Sequence, residues 1–321
     1  MPLTRIEPFL LANLAQIGSG LNRPECVLAA QDGAIYTGDW THGIARIAPD
    51  GTTGPAVEAD VIGQGFRPNG IAMTADGDFL FANMSRVGGV WRVGRQGEVK
   101  PFATEMDSQP IPPTNFVLVD GDRAWITISS TTRNHDHFTA EANTGKILLV
   151  QDGNITLAAD GLNWTNELRI SPDGRYLFVN ETFACRTTRY EVAAGGKLTN
   201  PIQLIYPEDT YPDGMAFDVE GGLWIACVIS NRLIRVEPDL SWRVLFEDAD
   251  RTELETTASA YSRGCLTWDQ ISQSRGSRVS NLSSIAFGGA DLKTIYLGGL
   301  GIGAVQMLQS PVAGVPMAHW R

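Results

Sequence analysis

The sequence is poor in the side chains that build redox, zinc and covalent-nucleophile sites. Its four cysteines (Cys26, Cys185, Cys227, Cys265) are spread over 321 residues with no CxxC pair. That excludes a zinc ribbon or a thioredoxin-like motif, and so few in so long a chain do not make a disulfide framework. Their ordinary role is as small buried hydrophobes. A GxSxG elbow is absent, which argues against an α/β-hydrolase route. Positive charge is also short: 25 Lys and Arg against 36 Asp and Glu leave a net charge of −11. Such a surface repels phosphate backbones and disfavours nucleic acid as a partner. No apolar run reaches the ~18 residues of a membrane span, and the N-terminal stretch lacks the basic region and cleavage site of a signal peptide. The expectation is a soluble, cytoplasmic chain with no membrane partner. Oligomeric state leaves no trace in the sequence.

Helical periodicity is almost absent as well, and what replaces it is a repeat. One pattern recurs: a polar residue, an apolar strand, a DG-like turn and a second apolar strand. The copies are RPECVLAAQDGAIYTGDW (23–40), RPNGIAMTADGDFLFANM (67–84), PPTNFVLVDGDRAWITIS (112–129), LNWTNELRISPDGRYLFVNE (162–181), TYPDGMAFDVEGGLWIACV (210–228) and NLSSIAFGGADLKTIYLGGL (281–300). Each alternates like a β-hairpin, with Gly or Asp where the turn needs positive φ; Asp32-Gly33, Asp76-Gly77 and Asp173-Gly174 are the clearest turns. Further short strands such as 43–51, 88–99, 145–155 and 232–246 lie between copies, which makes about four strands per unit. Four-stranded units repeated around an axis are propeller blades. The sequence therefore predicts an all-β, six-bladed β-propeller with four-stranded blades around a central channel, residues 1–321 forming a single domain. Segment 6–20 is expected to close the ring by pairing with the last blade. Residues 247–280 are polar and poor in strand pattern, and read as a loop insertion.

Aligning the copies places Glu25, Asn69, Asn115, Asn166, Asp213 and, more loosely, Ser284 just before the first strand. In a propeller that strand is innermost, so these positions converge on the channel. Oxygen ligands gathered from several blades suit a hard divalent cation, Ca²⁺ first, with Mg²⁺, Mn²⁺ and Zn²⁺ also admitted. Turn hydrogen bonding is the competing role for Asn and Asp at such positions. Trp164, two residues before Asn166, is placed to wall a pocket, whereas most other tryptophans read as blade core. The segment TTRNHDHFTA (131–140) packs Arg133, His135, Asp136 and His137 after the third inner hairpin. It reads as a solvated loop, as a substrate contact or base, or as a source of metal ligands through His135 and His137, with His135 the substrate-binding candidate. His42 reads in the same way, first as a surface histidine, and Glu181, which ends a strand near the channel, reads as a structural hydrogen-bonding group or a substrate contact.

These segments resemble the senescence marker protein (regucalcin), gluconolactonase and luciferin-regenerating enzyme family. The likeness is carried by GLNWTNELRISPDGRYLFVNET (161–182), YPDGMAFDVEGGLWIA (211–226) and RPECVL (23–28), and covers roughly residues 20–245. By position, Glu25, Asn166 and Asp213 resemble the family's metal ligands, Asp213 its general base, and Asn115 its substrate contact; Asn69, His135 and Trp164 join Asn115 as substrate-binding candidates. The resemblance implies a metal-dependent hydrolase that opens a small-molecule lactone or related ester. Its cation would polarise the carbonyl, with Asp213 as proton acceptor. Two departures stand out. Pro113 occupies the place where members acting on sugar-acid lactones carry Arg, which points to a less anionic or more apolar lactone, and PEC replaces the usual EGP-like string. Two alternatives stay open. ETFACRTTRY (181–190) resembles the strictosidine-synthase-like relatives, whose propeller performs a condensation without metal, and a non-catalytic calcium-binding propeller is the other.

Overall fold

In the computed structural model, which describes residues 4–63, 65–94, 96–131, 137–139 and 142–320, the repeat closes into six four-stranded antiparallel sheets. The innermost strands are Val27–Ala29, Pro68–Met73, Phe116–Asp120, Thr165–Ile170, Pro212–Phe217 and Leu282–Gly288, in blades 1 to 6. Each runs into its second strand through the turns expected from sequence: Gly33, Gly77 and Gly174 take φ of 84°, 82° and 72°, values open to glycine without a Cβ clash. Closure works as expected. Ala15–Ile17 pairs with Val305–Gln309 as the outer strand of blade 6, so first and last segments lock one sheet and no blade edge is left open at the seam.

The alternating apolar residues pack face to face between neighbouring blades, as sheet faces must to bury their side chains. Trp224 of blade 5 meets Phe287 of blade 6 edge-on at 5.5 Å, and Phe9 of the N-terminal segment lies 6.0 Å away. Cys26, Cys185 and Cys227 are buried, and no disulfide occurs among the described residues.

The insertion at 247–280 differs from the loop expected. It holds two helices, α1 (Arg251–Ser262) and α2 (Trp268–Gln273). The reason is local capping. Asp250 accepts the N–H groups of Thr252 and Glu253, and Thr267 with Gln270 forms a reciprocal capping box, which satisfies first-turn donors that have no partner inside a helix. The return to blade 6 is tied down by Asp248, whose carboxylate accepts the N–H groups of Ser277 (2.8 Å), Arg278 (2.6 Å) and Val279 (2.8 Å). The helices pack Leu254, Ala260, Tyr261 and Ile271 against Phe183, Tyr211 and Phe138, covering part of the end of the channel where the inner strands begin. At the other end, Met317 and His319 close the channel over a cavity of about 60 Å³, His319 Nε2 lying 2.8 Å from the carbonyl of Ala29. No helix among the described residues is long and apolar enough to cross a membrane.

Candidate functional site

A shared irregularity of the inner strands builds the site. In blades 2, 4, 5 and 6 the ladder slips between Pro68 and Ile71, Thr165 and Leu168, Pro212 and Met215, and Leu282 and Ser284. Such a bulge sets extra residues against the partner strand and re-aims their side chains. The bulged residues include Asn69-Gly70, Asn166-Glu167 and Asp213-Gly214. Register also corrects the alignment of blade 6. Leu282 faces Gly299 and Ile285 faces Leu297, as Pro212 faces Cys227 and Met215 faces Ile225. Ser283, not Ser284, is therefore the equivalent of Asp213. One tier further along the channel stand Cys26, Gly70, Phe116, Glu167, Gly214 and Ser284. Gly214 is required there: a Cβ would lie 2.3 Å from the carbonyl oxygen of Ser283 and 3.0 Å from Glu167 Oε1.

The first tier is buried and cross-linked. Glu25, Asn69, Asn115, Asn166 and Asp213 are each at most 7% exposed. Asn69 Nδ2 donates to Glu25 Oε1 (3.0 Å) and to the carbonyl of Asn115 (2.9 Å), joining blades 1, 2 and 3. Asn166 Nδ2 donates to Thr182 Oγ1 (3.2 Å), whose own proton goes to the carbonyl of Pro212 (2.8 Å). A hydroxyl that spends its proton on a carbonyl can only accept from the amide, so this link fixes which end of Asn166 faces Thr182 and leaves Oδ1 on the other side. Arg23 holds Glu25 Oε2 through Nε (3.0 Å) and Nη2 (2.7 Å).

Electrostatics single out Asp213. Its carboxyl is pushed well above the usual range, first by burial and then by the negative charges of Glu25 and Glu167; Arg23 opposes this. No hydrogen bond reaches that carboxylate among the described residues. Glu167 is itself pushed up to about 7 by burial, against the pull of Arg169. It pairs with Arg169 Nη2 at 2.9 Å, accepts the Met215 N–H at 3.4 Å and lies 3.4 Å from the hydroxyl of Ser284. Neither Glu167 nor Arg169 stands out in the sequence repeat. The available signal is that blades 2 and 5 read Asn-Gly and Asp-Gly where blade 4 reads Asn-Glu.

Residues 23–244 match the SMP-30/Gluconolactonase/LRE-like region family. The chain belongs to this family. Among curated relatives, regucalcin of Danio rerio is 25% identical over 160 residues, which is 49% of this chain and 43% of that protein. The Arabidopsis thaliana protein STRICTOSIDINE SYNTHASE-LIKE 6 is 27% identical over 220 residues, 65% of this chain and 58% of that one. The matches thus span less than two thirds of either relative. Two solved structures share the fold across nearly the whole chain. One is a gluconolactonase from Xanthomonas campestris (TM-score 0.69, 16% identity, 96% of this chain and 94% of that one). The other is a calcium-binding protein, regucalcin, from Agrobacterium tumefaciens (TM-score 0.66, 16% identity, 99% and 100%). At that identity the likeness is one of fold.

For a member of the SMP-30/gluconolactonase family, the donor set of the first tier fits a hard divalent cation. Two carboxylates, Glu25 and Asp213, repel one another in a buried channel, and Asn69 Oδ1 is buried with no partner. Among the described residues no three His, Cys, Asp or Glu side chains by themselves form a group that could hold an ion, so the amide oxygen of Asn166 would be needed alongside the two carboxylates, as oxygen-rich sites for Ca²⁺ allow. The remaining candidates separate. Trp164 sits at the rim with its ring 5.0 Å from Phe138. His135 lies outside the described residues, as do Arg133 and Asp136, and His137 is exposed. His42 faces Asp39 at 3.0 Å. Glu181 is structural: it is fully buried, binds Arg186 with both oxygens (2.7 and 2.6 Å) and accepts the N–H of Asn163 (2.8 Å).

Proposed function

We propose that this chain is a hydrolase that opens a lactone or related ester, with a divalent cation, Ca²⁺ in the first place, held at the propeller axis by Glu25, Asn166 and Asp213. The observation that supports it most is the buried, unpaired carboxylate of Asp213 facing the charges of Glu25 and Glu167. A channel with this concentration of negative charge needs a counter-charge or a proton. A cation bound there supplies Lewis acidity to a carbonyl oxygen and offsets the carboxylates. Asp213 is then the group that takes the proton from the attacking water. Asn115 and Asn69 border the same ring and would orient the substrate, with Trp164 as a wall. The family description, which includes gluconolactonase, and the calcium-binding structural neighbour support the same reading.

The test is a lactone and ester panel assayed with chelated protein re-supplied with Ca²⁺, Mg²⁺, Mn²⁺ or Zn²⁺. Turnover is expected to vanish on chelation and to return with a divalent cation. Turnover unaffected by chelation, in protein shown to be metal-free, would contradict it. Because Thr182 orients the amide of Asn166, Thr182→Val is expected to weaken cation binding about tenfold, the effect common for groups that orient a ligand. Thr182→Ser, which keeps the hydroxyl, should restore it in a calorimetric titration.

A second reading draws on the Arabidopsis relative: a propeller enzyme with altered, metal-free chemistry. Purified protein with no bound metal and no metal-dependent turnover would favour it. Metal binding without turnover of any lactone would instead favour a non-catalytic calcium-binding propeller.

A further inference from the structure

The oxygen ring lies beneath an aromatic rim that hydrolysis of the ester bond does not by itself require. From Glu25 the salt-bridged Arg23 leads outward to two indoles, its Cζ standing 4.6 Å from the centroid of Trp40 and 5.4 Å from that of Trp268. Trp268 is the first residue of α2, which is carried by the insertion between blades 5 and 6, yet here it touches blade 1. Its ring also lies 6.4 Å from that of Phe138, in the segment after the second strand of blade 3, tilted by 50° and so not stacked on it. Phe138 in turn meets Trp164 edge-on at 5.0 Å, two residues before Asn166. The ring of Trp268 therefore bridges blade 1 to blade 3 over the channel mouth.

Trp268 is not consumed by core packing. It is 44% exposed, and its indole N–H makes no hydrogen bond among the described residues. Its position is nevertheless fixed, by the capping box that starts α2 and by the bridge of Phe138 to Leu266. A rigid, half-exposed indole beside a buried polar ring offers a stacking face to a flat ligand, and aromatic pairs with centroids 4.5–7 Å apart gain beyond simple burial. Arg23 is neutralised by Glu25, while Arg67, exposed and 4.9 Å from the centroid of Trp40, carries no ion pair among the described residues and stands on the Trp40 side of the mouth, away from Trp268.

We propose that the site takes a lactone or ester bearing an aromatic or other flat apolar ring, stacked against Trp268 while the ester group lies over the Glu25–Asp213 tier. The placement of the ester rests on the hydrolase reading above; the ring site does not. The experiment compares dihydrocoumarin, γ-butyrolactone and glucono-1,5-lactone on wild type, Trp268→Ala and Trp268→Phe. In parallel, the lactam 3,4-dihydroquinolin-2-one is titrated calorimetrically as a ring probe that is not hydrolysed. Wild type should prefer dihydrocoumarin. Trp268→Ala should lower the ratio of kcat/KM for dihydrocoumarin to that for γ-butyrolactone about tenfold, through KM, and weaken lactam binding to match, while Trp268→Phe recovers most of both. A preference for the polyhydroxylated lactone, or lactam binding indifferent to Trp268→Ala, overturns the proposal. Lactam binding that depends on Trp268, with no lactone turned over, sustains the ring site and refutes only the hydrolase reading.

Discussion

Asp213→Asn is expected to lower lactone turnover by roughly 10²–10⁴-fold, the range for loss of a positioned general base, and to stabilise the metal-free protein at the same time. The two effects have one cause. The wild-type carboxylate is buried beside Glu25 and Glu167 with no donor of its own among the described residues, so without a cation its charge opposes folding. The amide removes that charge and keeps the shape. Thermal melts should therefore cross. Without added metal the variant unfolds at higher temperature than wild type, and with saturating Ca²⁺ wild type gains more, because a ligand stabilises the state that binds it. A variant that melts below wild type under chelation would show that Asp213 is a structural acceptor and not a group held ready for a cation.

The largest stability effect is expected at Arg235, in the third strand of blade 5 (Arg232–Val236), which pairs with Asp218 just past the end of the strand that carries Asp213. Arg235 is fully buried, and its Nε donates to Asp218 Oδ2 at 2.8 Å. Asp218 is fully buried too; it also accepts the indole N–H of Trp224 (2.8 Å) and the N–H of Gly222 (2.8 Å), and Arg235 binds Glu237 as well. Gly222 is small because the guanidinium lies against it, a Cβ there falling 2.3 Å from Arg235 Nε. Arg235→Met would leave Asp218 charged and buried, a loss of about 3–5 kcal/mol for pairs of this kind. Chemical denaturation should show it, and Asp218→Asn added to Arg235→Met should recover part of the loss. An Arg235→Met protein within about 1 kcal/mol of wild type would mean that the pair behaves like an exposed one. The cluster anchors the end of the strand that carries Asp213, so its loss should also reduce activity.

The architecture was legible because its signals are local and repeated. Asp-Gly turns at 32–33, 76–77 and 173–174 and strict alternation around them state the hairpins six times over, and six hairpins with intervening strands leave few arrangements besides a propeller. The equivalent positions of blades 1 to 5 were legible for the same reason, although Asn69, Asn166 and Asp213 turn out to be the second residue of their inner strands and only Glu25 and Asn115 precede theirs. What escaped is what register and capping decide. The bulge in blade 6 moves the equivalent position from Ser284 to Ser283, and nothing in NLSSIAF marks which serine is extra. Glu167 follows a ring residue directly, where strand alternation assigns it to the opposite face; only the bulge turns both Asn166 and Glu167 toward the channel. The helices of 247–280 carry no clear apolar stripe, and only Asp250 and the Thr267–Gln270 box mark their starts. The contact of Trp268 with Arg23 joins residues 245 positions apart, beyond the reach of any local pattern.

The most direct measurement is an anomalous difference map from a crystal of the unmodified protein grown with Mn²⁺ as a stand-in for the native cation. A single strong peak is predicted on the channel axis, in contact with oxygens of Glu25, Asn166 and Asp213 at coordination distances of about 2–2.6 Å. A map with no peak on the axis at saturating metal, or with its peaks only on the outer blade surface, would contradict the account.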